Sequence, residues 1–400
     1  MNSTAALIIS VVIAFGITAG LGFVIIPWLR KLKFGQTILD IGPKWHKSKQ
    51  GTPNMGGLMF IIGIAISFSL TVLIYHLSGG NLESEYSSIM NGRELVLLLA
   101  GLILALGCGA VGFIDDFTKI KLKRNEGLSP KQKTLGQLIV TLGYIATLWM
   151  SHNTSWYIPF IGRVNFEKNI FTAVVFWILS IFIVYGCVNS VNLTDGIDGL
   201  CSSVTSTVAI AFIVLGYIQG FAGLTIFSGA LLGGVLGFLC WNWNPAKTFM
   251  GDTGSTFLGF MLATLSIQGV FKSYAVISFA VPLLILGLPL FDALFAMIRR
   301  ILRGQSPMTA DRGHLHHRLV DMGFSQKQTV FILYAISGVL GITAVLLAES
   351  GVLRALLLVI CVLILLLIGS MLGKNSYVHQ HQDNRNLTDD NEIDVEEVSD

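Results

Sequence analysis

Residues 95–116 read "LVLLLAGLILALGCGAVGFIDD", twenty uncharged and mostly apolar residues closed by two adjacent carboxylates, Asp115 and Asp116. A run of about 18 or more apolar residues is long enough to cross the hydrocarbon core of a bilayer as a helix. The stretch is therefore read as a membrane span with an acid pair at its lip, where charge is expensive to place. Similar runs recur, and eleven spans are expected: 5–28, 54–76, 94–114, 134–150, 170–188, 199–219, 221–240, 255–271, 274–298, 329–348 and 352–373. Only 12% of the residues are charged and 53% are hydrophobic. That excludes a soluble globular domain, in which about a quarter are charged. The expected fold is an all-α polytopic membrane protein of 10–11 transmembrane helices.

The first run carries neither a basic n-region nor a small-residue cleavage site, so it reads as a retained span and not a signal peptide. A net charge of +3 gives no hint of nucleic acid. The cysteines (Cys108, Cys187, Cys201, Cys240, Cys361) sit in or beside apolar runs without metal-ligand spacing and read as packing residues.

Orientation follows from the basic residues. With the N-terminus outside, the inward connections hold 21 of the 26 Lys and Arg, and the outward ones hold only Arg93, Arg163, Lys168, Lys272 and Arg354. The positive-inside rule then places the N-terminus out and the C-terminus in. The outward connections 77–93 and 151–169 read as ordinary loops. The inward ones carry "KSKQGTPNMGG", "FIDDFTKIKLKRNEGLSPKQK", "NSVNLTDGIDGL", "NPAKTFMGDTGS" and "MTADRGHLHHRL", all on the cytoplasmic face. Residues 1–373 form the expected membrane domain. The polar stretch 374–400, with eight acids after His381, is expected to be a disordered cytoplasmic tail.

Three acid clusters lie on that face. Asp115 and Asp116 close the third span, Asp195 and Asp198 open the sixth at i, i+3 spacing and are expected to share a helix face, and Asp252 sits just before the eighth. Each acid alone is compatible with helix capping. Together they make an oxygen-rich site suited to Mg2+, which takes one or two carboxylates and leaves positions for phosphate. Lys119, Lys121, Lys123, Arg124, Lys131 and Lys133 follow the Asp pair. Most read as orientation signals or anionic-lipid contacts, with Lys119, one turn beyond the pair, the candidate for neutralising a diphosphate. Neither "MGDTGS" nor "TDGIDG" is a Walker or dinucleotide fingerprint. Phe249 is a candidate for stacking on a base or for anchoring at the interface. His314, His316 and His317 would bind zinc only if they converged; contact with a pyrophosphate or sugar hydroxyl is the better reading. Asp292, inside the ninth span, is either a functional acid or the ion-pair partner of Arg299 and Arg300.

These strings resemble the polyprenyl-phosphate N-acetylhexosamine-1-phosphate transferases over nearly all the spans. "KQGTPNMGG" (Lys49–Gly57), "GFIDDFTKI", "GLSPKQK" and "NSVNLTDGIDGL" are most similar to the branch that uses UDP-MurNAc-pentapeptide to make the first lipid intermediate of peptidoglycan, and "NPAKTFMGDTGS" is shared across the superfamily. The resemblance implies a bacterial plasma-membrane enzyme that passes a phospho-sugar from a UDP-sugar to undecaprenyl phosphate, releases UMP and requires Mg2+. It also implies a homodimer. By the same resemblance Asp115 and Asp116 match the pair that handles the lipid phosphate or acts as base, and Asp252 the Mg2+-linked Asp, with Asn192 a further metal candidate. Asn192, Asp195 and Asp198 match nucleotide-sugar contacts, Asn242 a site Asn, Lys119 and Lys133 site lysines, and Phe249 the uracil-stacking aromatic.

The last third departs from that branch, which has three consecutive histidines where this chain has "HLHHRL". With the eleventh span, it is more similar to the branch that transfers N-acetylglucosamine-1-phosphate to begin teichoic acids or surface glycans. UDP-GlcNAc is thus the alternative donor, and His316 and His317 are the histidines carried over. A secondary transporter, the rival of another class, would gather its polar residues near the bilayer midplane; here, Asp292 apart, they gather at one face.

Overall fold

The computed structural model describes residues 1–31, 51–82, 93–122, 127–158, 162–269, 286–302 and 314–349. The expected span 352–373, the first part of 274–298 and the tail lie outside the described residues. The elements are α1 (Ser3–Lys31), α2 (Gly57–Leu77), α3 (Glu94–Lys121), α4 (Pro130–Met150), β1 (Ser155–Ile158), β2 (Gly162–Asn165), α5 (Ile170–Thr194), α6 (Leu200–Ile218), α7 (Ala222–Asn242), α8 (Gly251–Gly269), α9 (Gly287–Leu302), α10 (Leu315–Asp321) and α11 (Gln326–Glu349). Among the described residues seven helices are long and apolar enough to cross a membrane: α1, α2, α3, α5, α6, α7 and α11. The protein is an all-α polytopic membrane protein, and its helices fall where the apolar runs predict them. The described cysteines, Cys108, Cys187, Cys201 and Cys240, are free.

Three boundaries differ from expectation, each for a local reason. Helix α3 runs past the apolar stretch to Lys121, so Asp115, Asp116 and Lys119 are helical residues and not loop residues. Asp195 is the first residue beyond α5 and Asp198 precedes α6, so the two lie in a turn between helices and do not share a helix face. The path leaves the helix at Asp195, with φ −77 and ψ 56, and resumes only after Gly199, with φ +78, at the start of α6. The connection after α4, expected as an ordinary loop, is an antiparallel hairpin, with Trp156 opposite Val164. Buried Trp156 packs on Phe166 and Phe176.

Helix α8 lies at the centre. Every residue from Thr253 to Gly269 is buried, and α8 is flanked most extensively by α3 and α5. A helix enclosed by protein need not be apolar all round, which explains why α8 fails a hydropathy criterion that its neighbours meet. Its hydroxyls bond within the bundle: Thr256 Oγ1 donates to Cys108 O of α3 at 3.0 Å. Around this centre, α1 packs on the glycine-bearing face of α7, and Ser10 Oγ (α1) donates to Ile226 O (α7) at 2.9 Å. Small residues and interhelical hydrogen bonds hold membrane helices together where lipid offers no hydrophobic drive.

The closest approach that matters for function is between α3 and the start of α8. A Cβ on Gly112 would collide with the backbone carbonyl of Asp252. We expect Gly112→Ala to push the two helices apart, lowering the detergent Tm and cutting turnover at least about tenfold. Gly186→Ala on α5, which meets nothing within 4 Å, should leave both unchanged.

Candidate active site

Because the helices alternate in direction, the C-terminal ends of α1, α3, α5 and α7 meet the N-terminal ends of α2, α4, α6 and α8 at one end of the bundle. The described parts of the polar strings meet there. At their centre, ligand oxygens of Asp115, Asp116 and Asp252 all lie within 4.8 Å of one another. Among the described residues this is the one cluster of His, Cys, Asp and Glu able to hold a metal ion. The three histidines, with Asp292, do not form such a set.

The adjacent acids are held differently. Asp116 is buried, and its Oδ2 accepts from both the backbone N–H and the hydroxyl of Thr253, at 2.9 and 2.8 Å. It therefore caps the first turn of α8 from a different helix, filling the place an N-cap side chain ordinarily takes. Its Oδ1 accepts from Asn54 Nδ2 at 3.1 Å. Gly251, at φ +72, turns the chain into α8, and a side chain there would strike Asp116 and Asn54. Asp115 instead faces the cations. Its Oδ2 lies 2.7 Å from Lys119 Nζ, and its Oδ1 accepts from Leu128 N at 2.7 Å.

Two ammonium groups link the carboxylates. Lys119 Nζ lies 2.6 Å from Asp252 Oδ2, and Lys133 Nζ lies 3.0 Å from the same oxygen and 3.8 Å from Asp115. A capping box at Ser129 and Gln132 starts α4 and fixes Lys133 in its first turn. Burial opposes the charge on Asp252. A hydrogen bond with Asp115 and the ammoniums of Lys133 and Lys119 outweigh burial and hold this carboxyl well below the usual carboxylate range. Asp252 is the most open of the three acids, 15% exposed against 4% and 1%.

The remaining expected residues form the walls. Asn192, half-buried near the end of α5, accepts through Oδ1 from Ser255 Oγ at 2.6 Å, one turn beyond Asp252. Asp195 opens the turn that follows. Asp198 Oδ2 accepts from Asn244 Nδ2 at 3.0 Å and Ala246 N at 3.2 Å. Asn242 accepts from Gly199 N at 3.0 Å and donates to Thr248 O at 2.9 Å. Buried Asp198 and Asn242 thus shape the loop that presents Phe249. Phe249 is half-buried, and its backbone is pinned to the 53–57 segment: Phe249 N donates to Pro53 O at 2.9 Å, and Gly56 N donates to Phe249 O at 2.8 Å. His316 is buried and abuts Gly196, and His317 is half-buried beside it, 4.2 Å between ring centroids. Asp292 pairs with His314 at 2.9 Å, a partner that the Arg299 and Arg300 reading did not anticipate. Sequence reasoning missed Asn54, Thr253, Ser255 and Asn244. All four lie in the flagged polar strings, but uncharged residues gave no reason to single one out.

Carboxylates and ammonium groups thus converge at one end of a helical bundle, a charge pattern suited to binding phosphate. Comparison with known proteins agrees. Residues 98–270 match the model of glycosyl transferase family 4. The phospho-N-acetylmuramoyl-pentapeptide-transferase of Desulforamulus reducens is 38% identical over 82% of this chain and 93% of its own length. That of Bacillus subtilis is 35% identical over 82% and 94%, and that of Bacillus mycoides 41% identical over 65% and 74%. The chain belongs to the phospho-N-acetylmuramoyl-pentapeptide-transferase family, within glycosyl transferase family 4. It is a multi-pass membrane enzyme of the phosphotransferase type.

Both acids of the pair can be tested by substitution. Asp116→Asn places an N–H against one of its donors and should lower stability by about 1–3 kcal/mol, read as a fall in Tm. Asp115→Asn also sets an N–H against Leu128 N or Lys119, so its Tm should fall by a similar amount, and turnover should be abolished in the protein that remains folded.

Proposed function

We propose that the protein transfers phospho-MurNAc-pentapeptide from UDP-MurNAc-pentapeptide to undecaprenyl phosphate, releasing UMP, on the cytoplasmic face of the bacterial plasma membrane. The observation that carries this is the cluster of three carboxylates and two ammoniums within one helix-end site. The family supports the sugar. The matches to the relatives from D. reducens and B. subtilis extend over 82% of the chain, so the likeness reaches well beyond the first two thirds. The bias of basic residues supports the orientation.

The donor set fits Mg2+: carboxylate oxygens only, and one acid more open than the others. Asp252 and Asp115 would hold the ion. Once bound it supplies charge neutralisation on the diphosphate and stabilises the departing UMP. Everything else falls to the chain. Lys119 and Lys133 offer ammonium donors to phosphate oxygens. Phe249 provides a flat face for the uracil. Asn192 and the 195–198 turn bind the nucleotide-sugar, and His317 reaches its pyrophosphate or sugar hydroxyls. Asp115 faces the lipid phosphate, which is already ionised near neutral pH, so orienting that phosphate matters more than removing a proton. Asp116 holds α8, and with it Asp252, in register. Phosphoryl transfer is governed by positioning and charge neutralisation, and this arrangement supplies both.

Purified protein given undecaprenyl phosphate should release UMP from UDP-MurNAc-pentapeptide and not from UDP-GlcNAc. Release from UDP-GlcNAc alone would overturn the assigned sugar. Asp252→Asn should abolish turnover even at raised Mg2+, and an active variant would remove Asp252 from the metal role.

A further inference from the structure

Asp292 is left over from the reading above. It sits in the second turn of α9, far in sequence from the acid cluster, in a segment where a lone carboxylate is costly. Both of its oxygens are engaged by one short segment. Oδ2 pairs with His314 Nδ1 at 2.9 Å, and Oδ1 accepts from Leu315 N at 2.8 Å. The imidazole of His314 is stacked on that of His316, 5.8 Å between centroids. His316 is buried and lies so close to Gly196 that a Cβ there would strike its ring. Gly196 follows Asp195 and lies two residues before Asp198. A continuous chain of contact therefore runs from α9, through the first residues of α10, to the turn between α5 and α6.

We infer that Asp292 is a positioning residue for the nucleotide-sugar: through His314 and Leu315 it sets His316 against the Gly196 turn and so fixes that turn's shape. This rests on the reading of residues 192–198 as the donor side. An ionised carboxylate can only accept, so the His314 proton lies on Nδ1 and the ring plane is fixed by the same group that starts α10. A helix cap alone would need one acceptor. Here the second oxygen is given to the ring that stacks on His316. Asparagine in place of Asp292 would keep one of these bonds and turn an N–H against the other donor.

Steady-state UMP release, with UDP-MurNAc-pentapeptide and undecaprenyl phosphate varied separately, tests the role. Asp292→Asn should raise the KM for the nucleotide-sugar about tenfold, as for one lost hydrogen bond to a charged group. The KM for the lipid should hold, and kcat should stay within about twofold. His314→Ala should do the same, and the double variant should be no worse than the poorer single one. Additive effects, equal changes in both KM values, or no change at all would overturn the inference. Should Asp292→Asn fail to fold, His314→Ala decides: a folded variant with the parental KM for the nucleotide-sugar sinks it. Asp195→Ala separates the two levels of the argument. An unchanged donor KM there defeats the donor-side reading itself, whereas a raised one beside a parental value in Asp292→Asn defeats only the role given to Asp292.

Discussion

The bond from Thr253 N–H and hydroxyl to Asp116 is the constraint on which the site depends. It joins the C-terminal end of one helix to the N-terminal end of another, and the residue just before its anchor on α8 is Asp252. The cap favours a negative charge at the start of α8 for two reasons: unsatisfied N–H groups converge there, and the helix dipole is positive at that end. The same field favours Asp252 in its charged form, beside the two lysines. A capping interaction and a ligand-binding carboxylate are thereby placed one residue apart.

From this constraint the rest of the bundle follows. The close approach at Gly112 lets α3 reach the backbone of Asp252, and burial of α8 on every side from Thr253 onward keeps that helix from tilting away. Ser255 ties α8 to Asn192 on α5, while the 53–57 segment clamps the approach to α8 through Pro53, Gly56 and Gly57. Acids and cations are thus held by neutral groups whose hydrogen bonds are already satisfied, so few of them must reorganise when a phosphate arrives.

Much of this was legible in the sequence. Apolar runs gave the helices, because a helix that faces lipid must be uniformly apolar, and the charged strings at alternate ends gave the single active face. Asp115, Asp116, Lys119, Lys133 and Asp252 were all named in advance. Less legible was what each does. The pairing of Asp116 with Thr253 joins residues 137 positions apart, and no local pattern encodes it. The turn holding Asp195 and Asp198 reads as helix because spacing does not register that α5 ends at Thr194 and α6 begins only after Gly199. The hairpin at 155–165 was hidden in a polar connection, since four-residue strands carry little periodicity. Asp292 pointed to Arg299 and Arg300 in sequence, yet its partner came from beyond the next loop.

Why two adjacent aspartates, and not one, follows from helix geometry. Neighbouring residues on a helix point about 100° apart, so Asp115 and Asp116 make their hydrogen bonds to different partners. One turns to α8 and is consumed in capping it; the other turns to Lys119 and the residues that start α4. Had Asp116 been apolar, the N–H and hydroxyl of Thr253 would have lost this acceptor. Two acids let one cap α8 while the other pairs with Lys119. Lys119, one turn further along the same helix, then contacts both acids, at 2.7 Å for Asp115 and 3.8 Å for Asp116, and reaches Asp252 beyond them. A single helical turn thus carries the cap, the lysine-facing acid and the cation, and each is aimed by the pitch of the helix that bears it.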